Sequence, residues 1–83
     1  MIELIRSSKQ LGNALRRFRR KRGLTQVALA KQAGMRQGTV SQLESGLETV
    51  KMKTVMDLLQ ALDLEVVIQP RTKGSPQEIE DMF

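Results

Sequence analysis

Between Arg36 and Gln42 the chain places a guanidinium, two carboxamides (Gln37, Gln42) and two hydroxyls (Thr39, Ser41) around a single glycine, Gly38. These groups suit the reading of hydrogen-bond edges. A guanidinium fork fits the paired acceptors of guanine, and a carboxamide fits the donor and acceptor of adenine. Chemistry of other kinds is poorly supplied. The 83 residues hold no cysteine and no histidine, so disulfides, cysteine-ligated zinc and the commonest general base are all missing. Catalysis, a metal site and a cofactor are therefore not expected.

Charge points the same way as the polar cluster. The net charge is +5, and it is concentrated at one end: Arg6, Lys9, Arg16, Arg17, Arg19, Arg20, Lys21 and Arg22 face only Glu3 before residue 25. Such a cluster attracts a polyanion, or else it keeps a solvated helix face soluble. No apolar run approaches the roughly 20 residues that span a bilayer, and the N-terminus lacks the regions of a signal peptide. A cytoplasmic protein is expected.

The polar cluster must be held by something, and periodicity supplies the elements. Ser7 and Gln10 have capping-box spacing, and Leu11, Ala14, Leu15 and Phe18 recur on one face, which predicts a helix over about 8–22. Gly12 inside it either allows close backbone approach or weakens the first turns. Thr25 is a suitable N-cap for a second helix over 26–33, ended by Gly34. A third follows after a short turn, with Val40 and Leu43 as its apolar anchors and Gly46 near its end. Met52, Val55, Met56, Leu59 and Leu62 predict a fourth, over 52–62. Met1–Arg6 reads as a short strand or an ordered arm.

After Asp63 the period changes. Glu65, Val66, Val67, Ile68 and Gln69 are rich in β-branched side chains and bounded by Pro70, which predicts one strand. A lone strand has unpaired backbone groups, and pairing with the same strand of a second copy would satisfy them. Residues 1–70 are thus expected to form a single domain that also dimerises, and 71–83 a flexible tail with too few apolar residues to order itself.

Two short helices that cross steeply need a small residue where they touch, a turn residue free to take positive φ, and anchors on the second helix. Ala30, Gly34, Val40 and Leu43 provide these in order. The stretch LTQVALAKQAGMRQGTVSQLESG resembles the Xre/Cro-type helix-turn-helix family through Leu24, Thr25, Gln26, Leu29, Ala30, Gly34, Glu44 and Gly46. The resemblance covers about residues 11–62. It implies an all-α fold, a compact lambda-repressor-like domain of four to five helices, acting as a dimer on palindromic double-stranded DNA.

The resemblance also implies roles for single residues. Gln26 matches the position that grips a phosphate at the start of the second helix, while Arg36, Gln37, Gly38, Thr39, Ser41 and Gln42 match the base-reading turns of the third. Gly38 stands where the family carries a side chain. Arg17 is the expected phosphate contact of the first helix, with Arg16, Arg19, Arg20 and Arg22 as further candidates. A narrower likeness is to HipB-type antitoxins, through Ser7, Gln10, Leu11, Asn13, Ala14 and the single strand after the last helix. It implies a HipA-like kinase toxin as partner, repression of the operon that encodes both, and an antitoxin role. A stand-alone phage- or plasmid-type repressor and a protein-interaction module that never meets DNA are the alternatives. Phe83 is either an anchor for the partner or an unconstrained terminal residue.

Overall fold

A computed structural model describes residues 2–72. They form four helices: α1 (Ser8–Lys21), α2 (Gln26–Ala33), α3 (Gln37–Glu44) and α4 (Met52–Ala61). The expected tail beyond residue 72, with Phe83, lies outside the described residues.

The helix starts follow local chemistry. Ser7 is extended and its hydroxyl accepts from the Gln10 amide at 3.1 Å, as a capping residue should. The Gln10 carboxamide reaches back to the Arg6 amide at 2.6 Å, one residue earlier than a capping box requires. Thr25 caps α2 through the Ala28 amide at 3.0 Å. Gly34 ends α2 with φ +69°, a left-handed conformation that costs glycine little and lets the chain turn sharply into α3.

Leu15, Leu29, Val40 and Leu58 are wholly buried, one from each helix, with Ala14, Ala30, Leu43, Leu59 and Leu62 around them. α3 packs on both α1 and α2, and α2 packs also on α4. Ala30 is 3% exposed at the centre of this arrangement, which is where a larger side chain would push the two crossing helices apart. Val27 of α2 is 55% exposed and lies outside this core.

Gly12 is there for lack of space. A Cβ built on it would lie 2.5 Å from the Leu43 carbonyl oxygen and 2.6 Å from that of Glu44, so α1 and the end of α3 touch backbone to backbone. Gly46 makes a similar approach, with its Cβ position 2.9 Å from Lys9 Cα.

The segment read as a strand forms no ladder among the described residues. Glu65–Gln69 has no regular secondary structure, and Val66, Val67 and Ile68 are 56%, 69% and 95% exposed. The last backbone bond before it runs from the Leu64 amide to the Leu59 carbonyl at 2.8 Å. The physical reason is simple: a strand needs a neighbour, and the described residues offer none beside this segment. The arm at residues 2–6 is not a strand either; Glu3 is tied to Arg17 and the Arg6 guanidinium donates to the Thr72 carbonyl.

Candidate nucleic-acid interface

The site is built from the start of α2 and the whole of α3. Arg36 is the N-cap of α3 and no side chain caps that helix start, so the first amides of α3 lie open to an acceptor from outside. Arg36, Gln37, Gly38 and Gln42 are exposed, Thr39 and Ser41 are half-buried, and Val40, Leu43 and Glu44 face the core. No described residue lies within 4 Å of a Cβ placed on Gly38. The first turn of α3 is therefore bare backbone flanked by an arginine and a glutamine.

A chain of hydrogen bonds runs outward to that turn from inside the protein. Arg19 and Glu44 are each 7% exposed and meet side on, Nε to Oε2 at 2.6 Å and Nη2 to Oε1 at 3.0 Å. Arg19 Nη1 also donates to the Leu24 carbonyl at 2.7 Å, which ties the end of α1 to the turn before α2. Gln26 Nε2 donates to Glu44 Oε1 at 3.2 Å, and Gln37 Nε2 donates to Gln26 Oε1 at 2.6 Å. Both ends of the Gln26 carboxamide are thus engaged, and its half-buried side chain fixes the rotamer of the exposed Gln37. A carboxamide held this way loses less entropy on any contact it makes.

The electrostatics fit a locked pair. Burial alone would raise the Glu44 carboxyl, but hydrogen bonds from Arg19 and Gln26, with the charges of Arg19 and Arg16, outweigh it and hold the group below the usual carboxylate range. The hydrogen bonds that Arg19 donates to Glu44 in turn raise its guanidinium above the ordinary value against the cost of burial. Both groups stay charged, and no buried side-chain polar atom among the described residues lacks a partner.

The α1 arginines part company. Arg19, offered as a phosphate contact, is committed to the interior and cannot reach a ligand. Arg22 lies across the end of α4, Nη1 donating to the Ala61 carbonyl at 3.3 Å. Arg17 is exposed but holds the Glu3 carboxylate, Nε to Oε1 at 3.2 Å. Arg16 and Arg20 are exposed. Sequence reasoning misses the structural role of Arg19 and Glu44, although a signal is present: Leu11, Leu15 and Arg19 are spaced by four, so Arg19 continues the apolar stripe of α1 and needs a buried acid.

Comparison with known proteins places this geometry. Residues 10–67 match the helix-turn-helix domain family. The antitoxin HipB of Escherichia coli (strain K12) is 34% identical over 76 residues, covering 92% of this chain and 86% of that protein. The chain belongs to the HipB antitoxin family of helix-turn-helix proteins. Among solved structures, HipB in the HipA–HipB–O2–O3 complex superposes with a TM-score of 0.79 at 32% identity, covering 86% of this chain and 100% of that one. HipB in the HipB–O4 20mer complex gives 0.80 at 32% identity, with the same 86% and 100% coverage. The share of this chain covered is larger than the span of the four helices, which run from Ser8 to Ala61.

Proposed function

We propose that this chain is a sequence-specific DNA-binding repressor, that it is the antitoxin of a HipA-like kinase toxin, and that it represses the operon encoding both. It acts by binding in the cytoplasm rather than by catalysis. The observation that carries this reading is the relay from Arg19 through Glu44 and Gln26 to Gln37, which presents a pre-oriented carboxamide beside Arg36 on the uncapped first turn of α3. HipB relatives solved with HipA and with O-site DNA support the choice of partners.

In this reading α3 enters the major groove. Arg36, Gln37, Gly38, Thr39, Ser41 and Gln42 lie along base edges, while the amides opening α2 and the second N–H of the Gln26 carboxamide, the one not given to Glu44, grip a phosphate. Residues 1–70 form the domain that binds DNA and dimerises. Glu65, Val66, Val67, Ile68 and Gln69 pair with the same residues of a second copy, which satisfies backbone groups that the single chain leaves open and covers three exposed β-branched side chains. Two-fold symmetry then sets the recognition helices on half-sites about 34 Å apart, or a multiple of that, in a palindromic duplex.

Selecting bound duplexes from a randomised pool tests the DNA reading. The chain should enrich a palindrome and bind it at least about 10³-fold more tightly than a scrambled duplex at equal salt. Equal binding to both would leave only a non-specific polyanion binder. Val67→Pro tests the strand, because it removes a ladder donor from the middle of the pairing; sedimentation of the variant should give a monomer where the wild type gives a dimer. A variant that stays dimeric at the same low concentration would rule the strand pairing out.

A further inference from the structure

The row Arg16-Arg17 offers two adjacent cations on α1, and the helix turns them to different sides. Successive residues are about 100° apart around a helix. Gly12 and Arg19 both touch the end of α3, Gly12 through its bare backbone and Arg19 through Glu44. Arg16 is about 40° from Gly12 and about 60° from Arg19, on the stripe that faces α3, whereas Arg17 is about 140° from Gly12 and on the far side.

Their partners differ to match. Arg17 is held by the Glu3 carboxylate on the N-terminal arm. Arg16 is exposed, and among the described residues no hydrogen bond or ion pair engages it. Its charge is nevertheless felt by Glu44, the same carboxylate that receives the Gln26 amide. A free guanidinium beside the residues that open α2 and close α3 has a position suited to a backbone phosphate, and it is not spent on holding the fold.

We propose that Arg16, rather than Arg17, is the residue of α1 that neutralises a DNA phosphate, on the flank of the Gln26–Gln37 pair. The inference rests on the reading that α2 and α3 bind duplex DNA. It also gives Glu3 a function: by occupying Arg17 it keeps a second cation of α1 from competing for non-specific phosphate on the face turned away from α3.

The test uses the full chain with two probes, the duplex it selects from a randomised pool and a scrambled duplex of equal length. Affinity is measured by fluorescence anisotropy from about 50 to 200 mM salt. Arg16→Gln should lower the log-log salt slope by about 0.9 for each protomer bound, equally on both probes, and Arg16→Lys should restore it. Arg17→Gln should keep the wild-type slope. An unchanged slope in Arg16→Gln, or an equal or larger loss in Arg17→Gln, overturns the assignment while leaving the DNA reading intact. Loss of the folded state in Arg16→Gln would also overturn it, because an unengaged side chain has no structural partner to lose. A wild-type chain that binds neither probe removes the DNA reading and this inference together.

Discussion

Two glycines in helices, Gly12 in α1 and Gly38 in α3, mark two regions of this molecule with opposite constraints. At Gly12 the end of α3 comes so close that a methyl group would meet two carbonyl oxygens. At Gly38 a methyl group would meet no described residue within 4 Å. The first region is filled and charged, with the Arg19–Glu44 pair buried beside the backbone contact; the second is bare and solvated. The same helix, α3, is therefore gripped at its C-terminal end and offered at its N-terminal end. A helix that must enter a groove needs both conditions, because the exposed turn can be oriented only if the opposite end cannot move.

The largest effect should come from breaking the grip. Glu44→Ala leaves the Arg19 guanidinium buried without its counter-charge, and cuts the relay to Gln26. Loss of one partner of a buried pair costs about 3–5 kcal/mol, a large share of the stability of so small a domain. Urea unfolding should show a correspondingly lower midpoint with an unchanged slope. The same pair sets the acid sensitivity of the fold. The folded-state pKa of Glu44 lies below its unfolded value, so its stabilisation is complete above the ordinary carboxylate pKa of about 4.3 and is lost as pH falls through the depressed value. The urea midpoint should therefore fall on acidification through that window, and the Glu44→Gln variant should lack that part of the fall. An identical acid profile in wild type and Glu44→Gln would mean that other carboxylates govern acid unfolding.

Filling the gap comes next in size. Gly12→Ala favours the helix by about 1 kcal/mol as a matter of propensity, yet it forces a methyl group onto the Leu43 and Glu44 carbonyls, and overpacking of this kind costs about 1–3 kcal/mol. Because the obstruction is backbone on both sides, no rotamer change relieves it. The variant should melt below wild type despite its better helix former, and its affinity for the selected duplex should drop more than its stability alone explains, since Glu44 must shift away from Gln26. A variant more stable than wild type would show that α1 and α3 separate freely.

How far each region is legible in the sequence depends on the range of the interactions that define it. The starts of α1 and α2 are readable because Ser7, Gln10, Thr25 and Gly34 act within a turn of themselves. The expected ends at 22 and 62 overshoot the observed Lys21 and Ala61 by one residue each, as fraying ends usually allow. The exposed turn is readable too, since its residues are contiguous. The grip is not: Glu44 is 25 positions from Arg19, and in a run of basic residues nothing but helical phase distinguishes the buried arginine from its neighbours. For the same reason the sequence does not show the carboxylate partner of Arg17, which lies 14 positions away on the arm. The segment 65–69 shows a different limit. Its β-branched residues favour extended backbone, but a ladder needs a second strand, and the described residues offer none beside it.

The smallest effect should come from the bare region, and it separates the two constraints most sharply. Gly38→Ala adds a methyl group where space is open, so the folded state gains helix propensity of up to about 1 kcal/mol with no steric cost. Thermal melting should move slightly upward, the reverse of Gly12→Ala. On DNA the sign should change. If the backbone at Gly38 approaches base edges as closely as its lack of a side chain permits, the added methyl group holds the first turn of α3 out of the groove, and affinity for the selected duplex should fall several-fold while affinity for the scrambled duplex does not. Gln37 lies beside it, already fixed by Gln26 at 2.6 Å, and cannot swing aside to compensate. Higher stability with undiminished affinity would place Gly38 away from the closest approach, and leave Arg36 and Gln37 to read the bases from a turn that stands farther from the duplex.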